Sequence, residues 1–296
     1  MRRTLVLLLG GALLLAGCGT LPSPSGSSAE PSTTVVAVGD VACPPGRRPT
    51  RTQCRQGATA RLARSLAPQQ VLALGDLQYQ KGSYRGFTHS YQRSWGRLKS
   101  VTWPVPGNHE YETRGARGYY RYFHDRQPGA PGYYRRELNG WQLFLLNSNC
   151  GQVDCTAERA WLEQEMAAHP STCSLIAVHH PRFSSGEHGN TARMRKFWDI
   201  AYAHRADVAL SGHDHDYERF DPMSPAGVVE PDRGIQQFVS GGGGRSLYPR
   251  AAVVPGSRVF RKAFGVLELT LRPTGYSWTF RTLAGRVRDS GSAACR

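Results

Sequence analysis

Lysine is nearly missing from this 296-residue chain: only Lys81, Lys99, Lys196 and Lys262 interrupt an excess of arginine. Acidic residues are also scarce, 22 against 37 basic ones, which leaves a formal net charge of +15. No apolar run reaches the roughly 18 residues that a bilayer-spanning helix needs. There is no C-x-x-C pair, so a thiolate zinc site finds no support. No repeat of fixed period occurs, which excludes solenoids and propellers. No stretch interleaves aromatic with basic residues as a nucleic-acid groove does. What is present is ordinary for a globular protein: 40% hydrophobic and 20% charged residues, in a chain long enough to bury a large core. Arginine stays charged and grips phosphate or carboxylate bidentately, so the charge favours anionic partners. By itself it does not choose among nucleic acid, lipid headgroups, small phosphoesters or no function.

The N-terminus carries export signals. Met1-Arg2-Arg3 precedes an apolar run from Leu5 to Ala16, too short to span a membrane and suited to the core of a secretory signal. The run ends in Leu15-Ala16-Gly17-Cys18, which resembles a bacterial lipobox. That resemblance implies a signal peptide over residues 1–17, cleavage before Cys18, lipidation of its thiol and anchoring on the outer face of the bacterial cell membrane. An ordinary signal peptide with an incidental cysteine is the alternative. Residues 18–33 are then a tether, because Pro, Ser, Gly and Thr dominate Gly19–Thr34 and cannot pack a core.

Lipidation of Cys18 leaves six of the seven cysteines, an even set that in an exported protein reads as disulfides. The short loops favour Cys43–Cys54 and Cys150–Cys155, which leaves Cys173 to pair with Cys295.

Beyond the tether, apolar runs alternate with stretches of helical spacing. Thr34–Gly39, Gln70–Gly75, Val101–Pro106, Trp141–Asn147, Ser174–His179 and Asp207–Ser211 read as buried strands. Gln56–Ala67, Phe87–Leu98, Thr156–His169 and Thr191–His204 read as helices between them. This alternation predicts an α/β fold with a largely parallel central sheet. In the tail, Ile235–Ser240, Ala263–Leu271 and Tyr276–Leu283 follow one another without helices, which predicts antiparallel strands completing a second sheet. A single catalytic domain over 34–296 is the economical reading.

Nearly every strand ends in a metal-ligating residue type. The ends read Gly39-Asp40, Gly75-Asp76 with Tyr79 three residues on, Gly107-Asn108-His109-Glu110, His179-His180-Pro181 and Gly212-His213-Asp214-His215. Sites gather at the carboxyl ends of strands in open α/β sheets, so these segments converge on one edge. Taken singly, each is also what a turn, a packed aromatic or a core histidine gives. The ordered set is far less easily accidental.

That set resembles the calcineurin-like metallophosphoesterases and, within them, the purple acid phosphatases. Asp40-Val41-Ala42 lacks the histidine of the generic first motif, and Tyr79 stands in its place, the substitution of the purple branch. Gly212–Arg219, Ser184–Gly189 with His188, and the four glycines within Gln237–Tyr248 also resemble that branch. The chain departs from it where Val41-Ala42-Cys43 replaces an early glycine. The resemblance implies a four-layer metallophosphatase fold, two mixed β-sheets face to face and flanked by helices. It implies two metal ions: Fe(III) held by Asp40, Tyr79 and His215, and a divalent ion (Zn, Fe or Mn) held by Asn108, His179 and His213, with Asp76 bridging. His180 is excluded as a ligand by the H-x-P register. His89, His124, His169 and His204 fall outside every motif.

The implied activity is hydrolysis of a small phosphorylated substrate, a phosphomonoester, with His109 and His188 contacting phosphoryl oxygens and protonating the leaving group. His109 otherwise reads as a support for its loop, and His188 as a mobile loop residue. Two other functions stay open, a phosphodiesterase acting on nucleotides or glycerophosphodiesters, and a non-catalytic phosphate- or envelope-binding lipoprotein. The membrane is expected as a partner through the lipid anchor, and neither a specific nucleic acid nor a protein partner is expected.

Overall fold

Alternation at a period of two decides which layer each strand feeds. In β1 (Thr33–Val38), Val35 and Ala37 enter one apolar cluster while Val36 and Val38 enter another. The same division recurs in β2 (Gln70–Leu74), where Leu72 and Leu74 face the first cluster and Val71 and Ala73 the second. A strand buried on both faces needs cover on both, and the chain supplies it. The computed structural model describes Leu5 and residues 30–296. The expected signal peptide apart from Leu5, Cys18 and all but the last residues of the tether lie outside the described residues.

Eleven further strands follow: β3 (Thr102–Val105), β4 (Tyr134–Leu138), β5 (Trp141–Leu145), β6 (Cys173–Ala177), β7 (Val208–Ser211), β8 (Tyr217–Met223), β9 (Ile235–Ser240), β10 (Ser257–Arg261), β11 (Gly265–Arg272), β12 (Gly275–Thr282) and β13 (Val287–Ala294). They form a six-stranded sheet, β13-β12-β11-β1-β2-β3, and a seven-stranded sheet, β10-β8-β9-β7-β6-β5-β4. Both are mixed. In the first, β1 pairs parallel with β2 and antiparallel with β11. In the second, β5, β6, β7 and β9 run parallel, with antiparallel strands on either side.

The sheets meet across a core that includes Val35, Leu72, Trp141, Leu175, Phe238 and Leu267. The helix Gln56–Ser65 and helical residues 84–101 cover the outer face of the first sheet through Ala60, Ala63, Phe87, Tyr91 and Trp95. Helices Cys155–Ala168 and Arg195–Ala203 cover the second through Leu162, Met166, Phe197 and Trp198. The result is the four-layer α/β arrangement, helix–sheet–sheet–helix.

Two expectations need correction. The expected central sheet is divided, with β1–β3 in one mixed sheet and β5–β7 in the other, and the tail completes both: β11–β13 extend the first beside β1, while β9 lies inside the second, parallel to β7. Strand β1 had a free flank that β11 fills, and partner choice of this long range leaves no local mark. The expected helix Phe87–Leu98 is irregular, with a π turn at Phe87–Tyr91 and a 3-10 segment at Trp95–Val101.

The structure joins Cys43 to Cys54, Cys150 to Cys155 and Cys173 to Cys295. Among the described residues no helix is long and apolar enough to cross a membrane.

Candidate metal centre

The carboxyl ends of β1, β2, β3, β6, β7 and β9 open onto one edge. Pairing continues past the strands: Gly39 N–H donates to Ser240 O at 2.8 Å across the two sheets, and Asp40 N–H to Gly75 O at 3.1 Å. Three residues at these ends hold left-handed backbone without being glycine: Asp40 at φ 60°, Asp76 at φ 50° and His213 at φ 74°. Each such residue costs on the order of 1 kcal/mol, which surrounding contacts must offset. Gly107 is required by proximity, since a Cβ there would collide with the Asp76 carboxylate.

Three of the expected ligands crowd around the hydroxyl of a fourth. The Tyr79 Oη lies 2.9 Å from Asp40 Oδ1, 3.1 Å from Asp76 Oδ2 and 2.9 Å from His215 Nε2. His215 Nε2 is in turn 3.4 Å from Asp40 Oδ1. Beside them a second group converges on His179 Nε2, which is 3.1 Å from Asn108 Oδ1, 3.2 Å from His213 Nδ1 and 3.5 Å from Asp76 Oδ2. Oδ2 of Asp76 therefore faces both groups. All seven expected ligands are brought together, and Tyr79, Asp40, Asp76, His179 and His215 are buried.

Hydrogen bonds behind these side chains fix how they point. His179 Nδ1 lies 2.8 Å from Leu74 O, to which it donates, and this holds Nε2 facing inward. His215 Nδ1 is 2.8 Å from Ser246 Oγ, with the same effect. Asp40 Oδ2 accepts from His213 N–H and Asp76 Oδ1 from His109 N–H, both at 2.8 Å. Glu110, to which the sequence gave no role, is fully buried and accepts four backbone N–H groups, from Asp76, Leu77, Gln78 and Gly107. It ties the Asp76 loop to the Asn108 loop.

The electrostatics fit a centre built for cations. Burial raises the Tyr79 phenol well above its usual value, and the Asp40 and Asp76 charges push it further. Only a strong cation makes a phenolate there. Burial also works on Asp76, but His179 and His109 overcome it and hold the carboxyl well below the usual range. His213 is pushed down to about 3 by burial and the His179 charge, so its ring stays neutral and keeps a lone pair to give. Carboxylate and phenolate oxygens suit a hard, highly charged ion, and imidazoles with an amide oxygen suit a divalent one. The residues present fit two metal ions.

Two histidines flank the groups. His109 Nδ1 lies 2.7 Å from Gln80 O and 2.9 Å from Glu112 Oε1, which leaves Nε2 3.8 Å from Asp76 Oδ2. His188 Nδ1 sits 2.9 Å from Asp214 Oδ1, its ring 4.2 Å from that of His213. The bond to Asp214 raises the His188 imidazole against the opposing effect of burial. Asp214 is buried, and the Ser184 hydroxyl also donates to it. Its place inside Gly212–Arg219 was the one available signal. His180, 4.4 Å from the His213 ring, bonds Ser148 Oγ through Nδ1 at 2.6 Å, and burial holds it well below its usual value. His89, His124, His169 and His204 bond elsewhere, to Arg85, Arg121, Glu165 and Glu163.

A cleft of about 300 Å³ opens beside Asn108 and His180, with Glu112, Asn149 and Arg193 among its walls.

A model described as calcineurin-like phosphoesterase matches residues 33–217. The pig (Sus scrofa) tartrate-resistant acid phosphatase type 5 is 25% identical over 260 residues, 76% of each chain. The Fe(3+)-Zn(2+) purple acid phosphatase 12 of Arabidopsis thaliana is 27% identical over 251 residues, 71% of this chain. Among solved structures, the purple acid phosphatase PPD1 of yellow lupin superposes with a TM-score of 0.71 at 18% identity, over 90% of this chain. The chain spans 53% and 54% of the Arabidopsis and lupin proteins, about half their length.

Proposed function

We propose, for a chain that belongs to the calcineurin-like phosphoesterase family and falls among its purple acid phosphatases, the hydrolysis of phosphate monoesters by water. One observation carries the reading: Tyr79 Oη, two carboxylates and an imidazole meet within about hydrogen-bond distance, in a buried pocket shared with a second group through Asp76. Asp40, Tyr79 and His215 would hold Fe(III), Asn108, His179 and His213 a divalent ion, and Asp76 both. Two such ions would supply charge neutralisation of the ester and acidify a water that attacks it.

The protein's own groups do the rest. Their convergence excludes bulk water and fixes the ester for in-line attack. His109 Nε2, freed by the bonds at Nδ1, contacts a phosphoryl oxygen. His188, oriented by Asp214 and with its imidazole raised, gives a proton to the leaving alkoxide as the ester P–O bond breaks. The protein is exported and lipid-anchored in this reading. Three disulfides suit an oxidising compartment, and Leu15–Cys18 suits lipoprotein processing.

The test pairs p-nitrophenyl phosphate with its bis ester, alongside metal analysis of protein purified without added metal. Faster hydrolysis of the monoester, with one iron and one divalent ion per chain, is expected. Preference for the bis ester would replace this reading with a phosphodiesterase. Absence of hydrolysis at full metal content would leave a binding protein. Cys18→Ser should abolish acylation and processing at that residue, and a mature N-terminus elsewhere without acyl chains would overturn the anchor.

A further inference from the structure

The two helical layers of the fold carry different charge patterns. Between Val41 and Gln127 the acids are Asp76, Glu110, Glu112 and Asp125, and each is taken. Asp76 and Glu110 are buried at the candidate centre, Glu112 Oε1 lies 2.9 Å from His109 Nδ1, and Asp125 accepts from Lys99 Nζ at 2.7 Å. The same stretch builds the layer over the first sheet, and its inward side chains are apolar. Its outward side chains are arginines: Arg61 and Arg64 on the helix Gln56–Ser65, Arg93 and Arg97 within residues 84–101, Arg117 and Arg121 on the helix Arg117–Tyr122. All six are exposed, and none takes part in an ion pair among the described residues. The layer over the second sheet is mixed. There Glu163 lies 2.7 Å from His204, Glu165 3.1 Å from Arg135 and Asp199 3.4 Å from Arg195.

Like charges spread over one surface without counter-charges draw it toward an anion. A discrete phosphate needs donors that converge, whereas these arginines are distributed over three helical segments, which matches an extended anionic surface. A groove of about 370 Å³ within the layer has Tyr84, Arg117 and Arg121 among its walls and no acid, and the Arg121 guanidinium carbon stands 4.0 Å from the centre of the half-exposed Tyr84 ring. Tyrosine, with an apolar ring and a polar tip, and arginine, with a long apolar stem, suit the level of lipid headgroups. The entry of the chain lies at the rim of this layer. Just past the helix Gln56–Ser65, Gln69 N–H donates to Thr34 O at 2.9 Å and Thr34 N–H to Gln69 Oε1 at 2.8 Å. Glu30 is 12 residues beyond Cys18, at most roughly 40 Å of extended chain. We propose that the helical layer over the first sheet docks on the bilayer that holds the anchor, through anionic phospholipid headgroups. The inference rests on the lipoprotein reading above for the place of the membrane, and on the arginines for the attraction. The anchor sets the distance and the layer sets the orientation. Strands β1–β3 then lie along the bilayer, and the edge that carries Asp40, Asp76 and Asn108 opens along its surface.

The experiment uses the mature chain, residues 18–296, carrying Cys18→Ser so that no acyl group contributes. Sedimentation measures its binding to vesicles of phosphatidylcholine and to vesicles of equal parts phosphatidylcholine and phosphatidylglycerol. Each basic residue near an anionic surface is worth about fivefold in affinity. Binding to the anionic vesicles alone is expected, weakening as sodium chloride shortens the screening length. It should drop about tenfold or more in Arg93→Glu with Arg97→Glu. Lys196→Glu with Arg205→Glu makes the same change of net charge at exposed positions of the other layer and should lower binding far less. Hydrolysis of p-nitrophenyl phosphate should be unchanged in both double variants, which separates lost docking from lost folding. Equal losses of binding in the two would reduce the attraction to net charge and overturn the face, as would equal binding to both kinds of vesicle. Inorganic phosphate should release no more protein than chloride at equal ionic strength, and selective release by phosphate would replace the surface with a discrete anion site. Transfer from the vesicles to soluble polyphosphate would assign the face to a polymer and overturn the bilayer. Mass spectrometry of the native protein tests the anchor separately, since an unacylated Cys18 would remove the anchor and leave the vesicle result standing.

Discussion

The site edge and the C-terminal closure of the sheets handle charge in opposite ways. At the site edge, Asp40, Asp76, Glu110, Asp214, Asp216 and Glu218 are all buried, and among the described residues both oxygens of Asp216 lack a partner. Three residues there hold left-handed backbone. At the closure every acid is answered. Asp289 accepts from Tyr217 Oη at 2.6 Å, Arg219 Nε at 2.7 Å and Trp278 Nε1 at 3.1 Å, and Asp207 accepts Arg296 N–H at 2.8 Å. Cys173–Cys295 binds the last strand's end to the second sheet. The difference teaches where the fold keeps its reserve. The site edge carries three strained backbone positions and one unpartnered carboxyl, whereas the closure's acids are paired.

Asp76→Asn attacks that contrast most directly. Activity should drop roughly a thousandfold with loss of both metals. The Tm of the metal-free protein should fall, because the ionised carboxylate that His179 and His109 hold below its usual range is gone. Two tightly bound metals in the variant would refute the shared position. The converse change, Cys173→Ser with Cys295→Ser, should cost about 2–5 kcal/mol in denaturant unfolding and leave kcat of the folded fraction unchanged. Equal stability with reduced kcat would reverse the assignment of roles.

Asp289→Asn tests the same side more gently, at about 1–3 kcal/mol. Burial alone would raise the Asp289 carboxyl, but Arg219, Tyr217 and Trp278 hold it below the usual range. A depressed carboxyl stabilises above its unfolded value near ~4 and loses that contribution as pH falls through its folded value. The Tm gap between wild type and variant should therefore be full at pH 7 and close in acid. A gap that widens in acid would contradict the pairing. The mildest change is Tyr79→Phe, which removes one donor oxygen. It should bleach a visible absorption band of the oxidised protein while keeping activity within about tenfold, since Asp40, Asp76 and His215 remain. A colourless, fully active wild type with two divalent ions would demote Tyr79 to a packed aromatic.

Much of the site edge was legible because the residues brought together there sit at the ends of strands with apolar runs such as Thr34–Gly39. Of the closure, β11, β12 and the Cys173–Cys295 pair were legible, and the rest was not. Strand β13, Val-Arg-Asp-Ser-Gly-Ser-Ala-Ala, is an edge strand with little apolar alternation, and β8 carries Asp221-Pro222 within it. Strand β4, with Arg135-Arg136-Glu137, hides its pattern the same way. Glu110 and Asp214 escaped for another reason. Their work is done through backbone N–H groups and a neighbouring ring, and such contacts exist only once distant loops have met.

Strand β1 has one more consequence. The chain reaches it at Thr33, beside Glu30 and Pro31, which bond Thr274 and Asn139, and leaves it at Asp40. Flanked on both sides, by β2 and by β11, β1 meets any pull along its axis in shear: its ladders must rupture together instead of peeling one rung at a time. A load attached there is resisted by both ladders at once. The same flanking makes the strand a transmission rod. A slip of one residue, about 3.3 Å, would draw Asp40 out of register with Tyr79 and His215, so tension sufficient to shift β1 would silence the centre while most of the two sheets stayed assembled.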